Sequence, residues 1–364
     1  MNRKLALPAA AILAVLASTP VMAQDGKPSG PPKAWDKFAR TFGSTGLWSE
    51  LGQDESYGTV QTRQAMSRSQ IAAAFADGDF EGYEDSAEKL TVPVTLAFSL
   101  PDGNSAVRLK GTWTNTWADE NKTYADSQGP SGLLQYLMMP SDNTLLGFGL
   151  VLGATDVDIR HNGGTIRTDA RGLRFDWLQK FNEQWGLATR ALYTWNDSST
   201  SIPLGFADLD TDQENEQFYL ETTLVGNFEH DHWSAIPEGW VVRPKFRALY
   251  QKTSFETVTN SLGGVNEGTV GPDDEYATLS ARVRILKSAY KPGDFGPYLE
   301  VGYEREVIND LDLVVDDPDI LVTKFGAVAI LKNGDYLDVS YGRFDGLGGD
   351  RSVGTLNIAY THSF

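Results

Sequence analysis

The stretch that most restricts what this chain can fold into is Gly354 to Phe364. Leu356, Ile358, Tyr360 and Phe364 share one parity, with Thr355, Asn357, Ala359 and Thr361 between them. This is the period-two alternation of a strand with one apolar and one polar face. The stripe continues to the last aromatic, a place where the end of a soluble domain usually frays. A stripe facing lipid, with aromatics at the membrane-water boundary, gives these residues a use. An ordinary C-terminal edge strand is the plainer reading, and the remaining sequence decides between the two.

No later stretch offers about 18 consecutive apolar residues, the minimum for a spanning helix, so strands closed into a barrel are the route left into a bilayer. With 41% hydrophobic residues, 11% aromatics and 36 glycines, the composition suits many short strands. Residues 1–23 read as a cleaved secretory signal peptide: Arg3 and Lys4, an apolar run from Leu5 to Leu16, then small residues ending at Ala23. Its loss would remove two cations and take the formal charge from -18 to -20. So acidic a chain is not expected to bind nucleic acid. The absence of cysteine excludes a lipid-modified N-terminal cysteine, disulfides and thiol chemistry.

Residues 24–89 are a different material, read as a linker or helical segment that plugs a pore or forms a periplasmic tail. A Gly/Pro/Lys-rich start, Gln24 to Lys33, is followed by modest helical signals at Ala34 to Phe42 and Ser67 to Ala76. From Leu90 the period is two: Leu90, Val92, Val94, Leu96 and Phe98 alternate, then Pro101 to Asn104 reads as a turn. Strands of this type recur to the end, so residues 90–364 are expected to form an all-β transmembrane antiparallel β-barrel of about 12 strands. Two registers are open. Either the first strand is 106–117 and Gly132 to Pro140 is the second, or the first is 90–100 and Gly132 to Pro140 is a helix or loop.

Connections alternate in length. Asn182 to Gln184, Lys291 to Asp294 and Lys332 to Asp335 are tight; Asp197 to Asn215, Lys252 to Asp274 and Ile308 to Asp319 read as long polar loops. Short inner turns and long outer loops are the asymmetry of an outer-membrane barrel.

On the strand Trp240 to Gln251, Trp240, Val242, Pro244, Phe246, Ala248 and Tyr250 form a lipid face, leaving Arg243, Lys245 and Arg247 to point into the lumen. Tyr276 to Ile285 repeats this with Arg282 and Arg284 inward. Arg190, Glu221, Glu300 and Glu304 complete the predicted lumen lining, with Asp338 as a further counter-charge. Mutual pairing is the bland reading of these charges; a wet channel or a socket for a polar helix is the functional one.

With Leu145 to Gly153, the Pro244 to Tyr250 strand, the Pro297 to Glu306 strand and the aromatic-ended last strand in place, residues 106 to 364 resemble the C-terminal translocator barrel of autotransporters. The resemblance implies a twelve-stranded outer-membrane barrel with a helix through its pore, which carries an N-terminal passenger to the cell surface. Here only a short segment precedes the barrel, with no β-helical repeats. The expected function is therefore anchoring or displaying that segment; the alternative is a porin-like passive channel for small polar solutes. The resemblance also implies contact with outer-membrane lipid and lipopolysaccharide, handling by periplasmic chaperones and the barrel assembly machinery, a C-terminal assembly signal at Tyr360 and Phe364, and a monomer.

No enzyme is expected, and no cofactor. The four histidines, His161, His230, His232 and His362, stand in no Ser/His/carboxylate spacing. His230-Asp231-His232 reads as a solvated turn before a weak metal site. Asp208-Leu209-Asp210-Thr211-Asp212 opens like a calcium loop, but Gln213 stands where Gly is needed and Tyr219 where Glu is needed. It is at most a loose cation site.

Overall fold

The computed structural model describes residues 85–118, 125–160, 163–268, 270–289, 291–311 and 317–363. The signal peptide, the two helical signals and Phe364 lie outside the described residues. The first strands are β1 (Asp85–Ser99), β2 (Ser105–Ala118), β3 (Ala125–Ser141), β4 (Thr144–Ile159) and β5 (Gly164–Lys180). Next come β6 (Trp185–Pro203), β7 (Asp208–Gly226), β8 (Trp240–Phe255) and a small hairpin, β9 (Val258–Thr259) and β10 (Val265–Asn266). The last are β11 (Asp273–Lys287), β12 (Phe295–Asn309), β13 (Asp319–Ile330), β14 (Tyr336–Gly346) and β15 (Arg351–Ser363).

All but β9 and β10 form one closed barrel in chain order, β8 pairing directly with β11 and β1 closing the ring against β15. The barrel therefore has thirteen strands, one more than the even number expected. The two registers proposed from sequence were not rivals: of 90–100, all but Leu100 lies in β1, and Gly132 to Pro140 is strand, inside β3. An odd count requires the first and last strands to run the same way, and β1 does pair with β15 in parallel, Asp85 opposite Arg351 and Ala97 opposite Ser363. Every other barrel ladder is antiparallel.

The connections 100–104, 142–143, 181–184, 227–239, 288–294 and 331–335 gather at the end that holds Ser363, here called the inner end. The end of β8 at Phe255, the start of β11 at Asp273, the end of β12 at Asn309 and the start of β13 at Asp319 lie at the opposite, outer end. The parallel pairing puts Asp85 at the outer end, beside Arg351. One predicted outer loop is not a loop. Asp197 to Asn215 continues β6 and β7 as a paired ladder out to Ile202 opposite Leu209 and Pro203 opposite Asp208, leaving only 204–207 as the turn. Its serines and threonines are polar, but β-branched Thr suits a strand, and the alternation with Thr200, Ile202, Leu209 and Thr211 buried is a strand's.

Outward positions carry the large exposed hydrophobics, among them Phe148, Leu150, Leu152, Leu173, Phe246, Leu279 and Phe325. These supply the lipid-facing band. Inward positions are layered. At the inner end small and aliphatic residues pack together (Ala97, Ala106, Leu137, Leu145, Leu178, Ala188, Val225) and continue as Val241, Leu286, Tyr298, Val328 and Tyr336. At the outer end a second apolar group, Val157, Ile159, Ile166, Ile202 and Leu209, lines the tall wall of β4 to β7. Charged side chains fill the level between.

Candidate functional site: the charged belt of the lumen

Period-two alternation in three adjacent strands builds one half of the belt. β8 presents Arg243, Lys245 and Arg247 inward, β11 presents Arg282 and Arg284, and β12 presents Glu300 and Glu304. The register sets Arg243 opposite Arg284 and Arg284 opposite Glu300, and Lys245 opposite Arg282. Two carboxylates thus lie among five cations. Glu300 accepts from Arg284 Nε at 2.6 Å and Lys245 Nζ at 3.3 Å and faces Arg282 Nη1 at 3.6 Å. Glu304 Oε2 accepts from Arg247 Nη2 at 2.6 Å and Arg282 Nη2 at 2.9 Å. Both glutamates are fully buried.

Gly302 makes the bridge possible. It sits directly opposite Arg282, and a Cβ there would lie 2.4 Å from Arg282 Cγ. The bare backbone lets Arg282 lie across β12 and reach the glutamates on either side. Two rings flank the belt, Tyr298 with its centroid 4.8 Å from Arg284 Cζ and Phe344 at 5.5 Å from Arg282 Cζ, both in cation-π range. Asp338 accepts from the Tyr298 hydroxyl at 2.9 Å.

The other half, on β3 to β7, centres on Asp176, which the sequence reading did not single out. Arg174 holds it bidentately, Nε at 2.7 Å and Nη2 at 3.1 Å, Arg190 Nε lies at 3.5 Å, and the Gln135 amide also donates to it. Glu221 stands opposite Arg190 in register and accepts from the Tyr219 hydroxyl at 2.5 Å. Arg174 and Asp176 belong to the inward parity of β5, so extending the alternation used for β8 would have found them. Arg243, by contrast, turns toward the inner end, where its Nε donates to Asn227 Oδ1 at 3.0 Å.

Burial decides what this belt can do. Lys245, Arg247, Arg282, Glu300 and Glu304 are each at most 5% exposed. A wide aqueous pore would leave such side chains wet, so the belt is a set of dry ion pairs. At the outer end the connection between β8 and β11 packs against β7. Its Ser261 receives Asp210 N and donates back to β7's first residues, Asn266 Nδ2 donates to Thr211 Oγ1 at 3.1 Å, and Gln213 Nε2 donates to Glu256 O at 2.8 Å.

The other predicted sites take ordinary places. His230 Nδ1 meets Ile236 O at 2.7 Å and His232 Nδ1 accepts from Glu229 N at 3.2 Å, both inside the inner connection 227–239. Asp208, Asp210 and Asp212 lie on one outward face of β7, spaced along a strand instead of converging as a loop would make them. Tyr360 faces outward near the inner end, and its hydroxyl donates to Asp335, which His362 Nδ1 also meets at 2.5 Å.

Residues 106–353 match the autotransporter beta-domain family, two thirds of the chain, from β2 through β14 and into the first residues of β15. Among solved structures, the translocator domain of the autotransporter NalP from Neisseria meningitidis aligns with 77% of this chain and 89% of its own, at 12% identity and a TM-score of 0.50. The beta domain of the Bordetella autotransporter Brka covers 71% and 95%, at 14% identity and a TM-score of 0.47. No curated protein matches by sequence. At such identities the structural likeness speaks for the fold; the match of the family itself, over a lipid-banded barrel, makes this chain an outer-membrane member of the autotransporter beta-domain family.

Proposed function

We propose that this barrel anchors residues 24–84 on the outer face of the membrane, as a translocator with a short displayed segment in place of a large passenger. The observation that carries the reading is the parallel pairing of β1 with β15, which sets Asp85 at the end opposite Ser363. With the short connections inside and the C-terminal strand ending inside, the chain before Asp85 joins the barrel from outside. The charged belt serves the wall: it ties β8, β11 and β12, and β5 and β6, into a rigid collar. Lipid and lipopolysaccharide contact the outward band. Periplasmic chaperones and the barrel assembly machinery, reading the end that carries Tyr360 and Phe364, bring the monomer into the membrane after residues 1–23 are removed. A porin-like role draws no support from a belt this dry.

The test is an epitope inserted after Gly30 in otherwise intact protein. Antibody should label it on whole cells, and added protease should remove it while leaving the barrel. A tag protected until the outer membrane is permeabilised would overturn display.

A further inference from the structure

The β1–β15 ladder differs from every other in the barrel in two ways. It is parallel, and parallel pairing is slightly weaker per residue. It joins the first and last strands, so no turn tethers it, whereas every other neighbouring pair is held by a connection in the chain. It is also interrupted: pairing runs from Asp85–Arg351 to Thr91–Asn357 and resumes at Val94–Tyr360. The gap falls at Val92-Pro93, and proline has no N–H to give a ladder, which is why strand prolines favour edges. The β3–β4 ladder also skips residues, at Gly129-Pro130, but it is antiparallel and closed by the turn 142–143.

The family match runs from Ala106, within β2, to Val353, at the start of β15, and so leaves β1 outside along with most of β15. The remaining strands, β2 to β15, number twelve, and β2 runs opposite to β15, so the two have the polarity for antiparallel closure. We infer that β1 is an exchangeable thirteenth strand: the barrel has two closures, one with β1 seated in parallel on β15 and one in which β1 leaves and β2 pairs with β15. The two differ in where the preceding chain joins. With β1 seated, residues 24–84 join at the outer end. With β1 displaced, the wall begins at Ser105, at the inner end, and the chain before it must travel the length of the barrel to reach the outside. Seating β1 is thus the step that fixes the segment outside. This rests on the display reading for its direction but not for the exchange itself.

Hydrogen exchange on the full mature protein in nanodiscs tests it. The chain has no cysteine, so L90C/L356C, a directly opposed pair on the outward face, is a clean lock. The disulfide should form in the folded, heat-modifiable barrel. Reduced, the peptide spanning β1 should exchange all its amides about tenfold or more faster than β5, with protection at the seam set by local opening. Oxidised, it should fall to the β5 rate. Pro93→Val, which restores a donor, should slow the reduced protein. β1 as protected as β5 in the reduced protein would overturn exchange. So would exchange of only the half of its amides that face β15, since β1 would then stay on β2. No disulfide in a folded barrel would overturn the thirteen-strand closure instead.

Discussion

Glu304 shows how much one buried carboxylate can hold. It is fully buried and takes hydrogen bonds from Arg247 and Arg282 on two different strands. Glu304→Gln keeps the shape and removes the charge, which takes from Arg247 the carboxylate it bonds and leaves Arg282 with Glu300; a loss of about 3–5 kcal/mol is expected for breaking such a pair. It should appear as a lower denaturant midpoint for the heat-modifiable band on a gel, with the fold retained. Asp335 offers a pH test. Its burial opposes ionisation, but hydrogen bonds from Tyr360, His362 and Asn333 prevail and hold its carboxyl below the ordinary value of 3.8. A carboxyl with a depressed folded value stabilises fully above 3.8, and that contribution disappears as pH falls through the folded value. Unfolding midpoints taken from neutral pH down to acid should therefore drop more steeply for the native protein than for Asp335→Asn, and equal slopes would count against the role.

At the level of elements, the connection between β8 and β11 is held against the outer end of β7 by a few polar contacts. Asn266 is fully buried, donating to Thr211 and accepting from Asn260. Asn266→Ala leaves those partners unsatisfied at about 1–3 kcal/mol, and the connection should become a cleavage site for protease added outside cells while the barrel stays folded. What the sequence disclosed and what it hid also separate at this scale. Strand parity was readable wherever one face meets lipid and the other does not, so the inward positions of β8, β11 and β12 were assigned residue by residue. Above the lipid that contrast fades. There β6 and β7 continue on Ser, Thr and Asp, and their ladder depends on each other's backbone, a non-local fact that side-chain chemistry does not advertise. Asp176 was missed for a different reason: the alternation read on β8 was not carried to β5, where Arg174 shares its inward face, and Arg190 reaches it only through the β5–β6 register.

For the whole molecule, the barrel has thirteen strands where about twelve were expected, since each candidate strand was plausible and the rule of even numbers forced a choice between β1 and part of β3. Parallel closure removed the need for it. The same closure has a mechanical meaning. A pull on the chain outside the cell reaches the barrel at Asp85, the outer tip of β1, and acts along that strand's axis. The β1–β2 ladder, continuous from Ala87–Ala118 to Ser99–Ala106, then carries the load in shear across its whole length. Had the chain joined at a strand's inner tip and doubled back, the same force would peel its bonds one at a time. Once seated, β1 is the geometry of a rivet: it holds fast against an outward tug, whereas thermal opening can still free it.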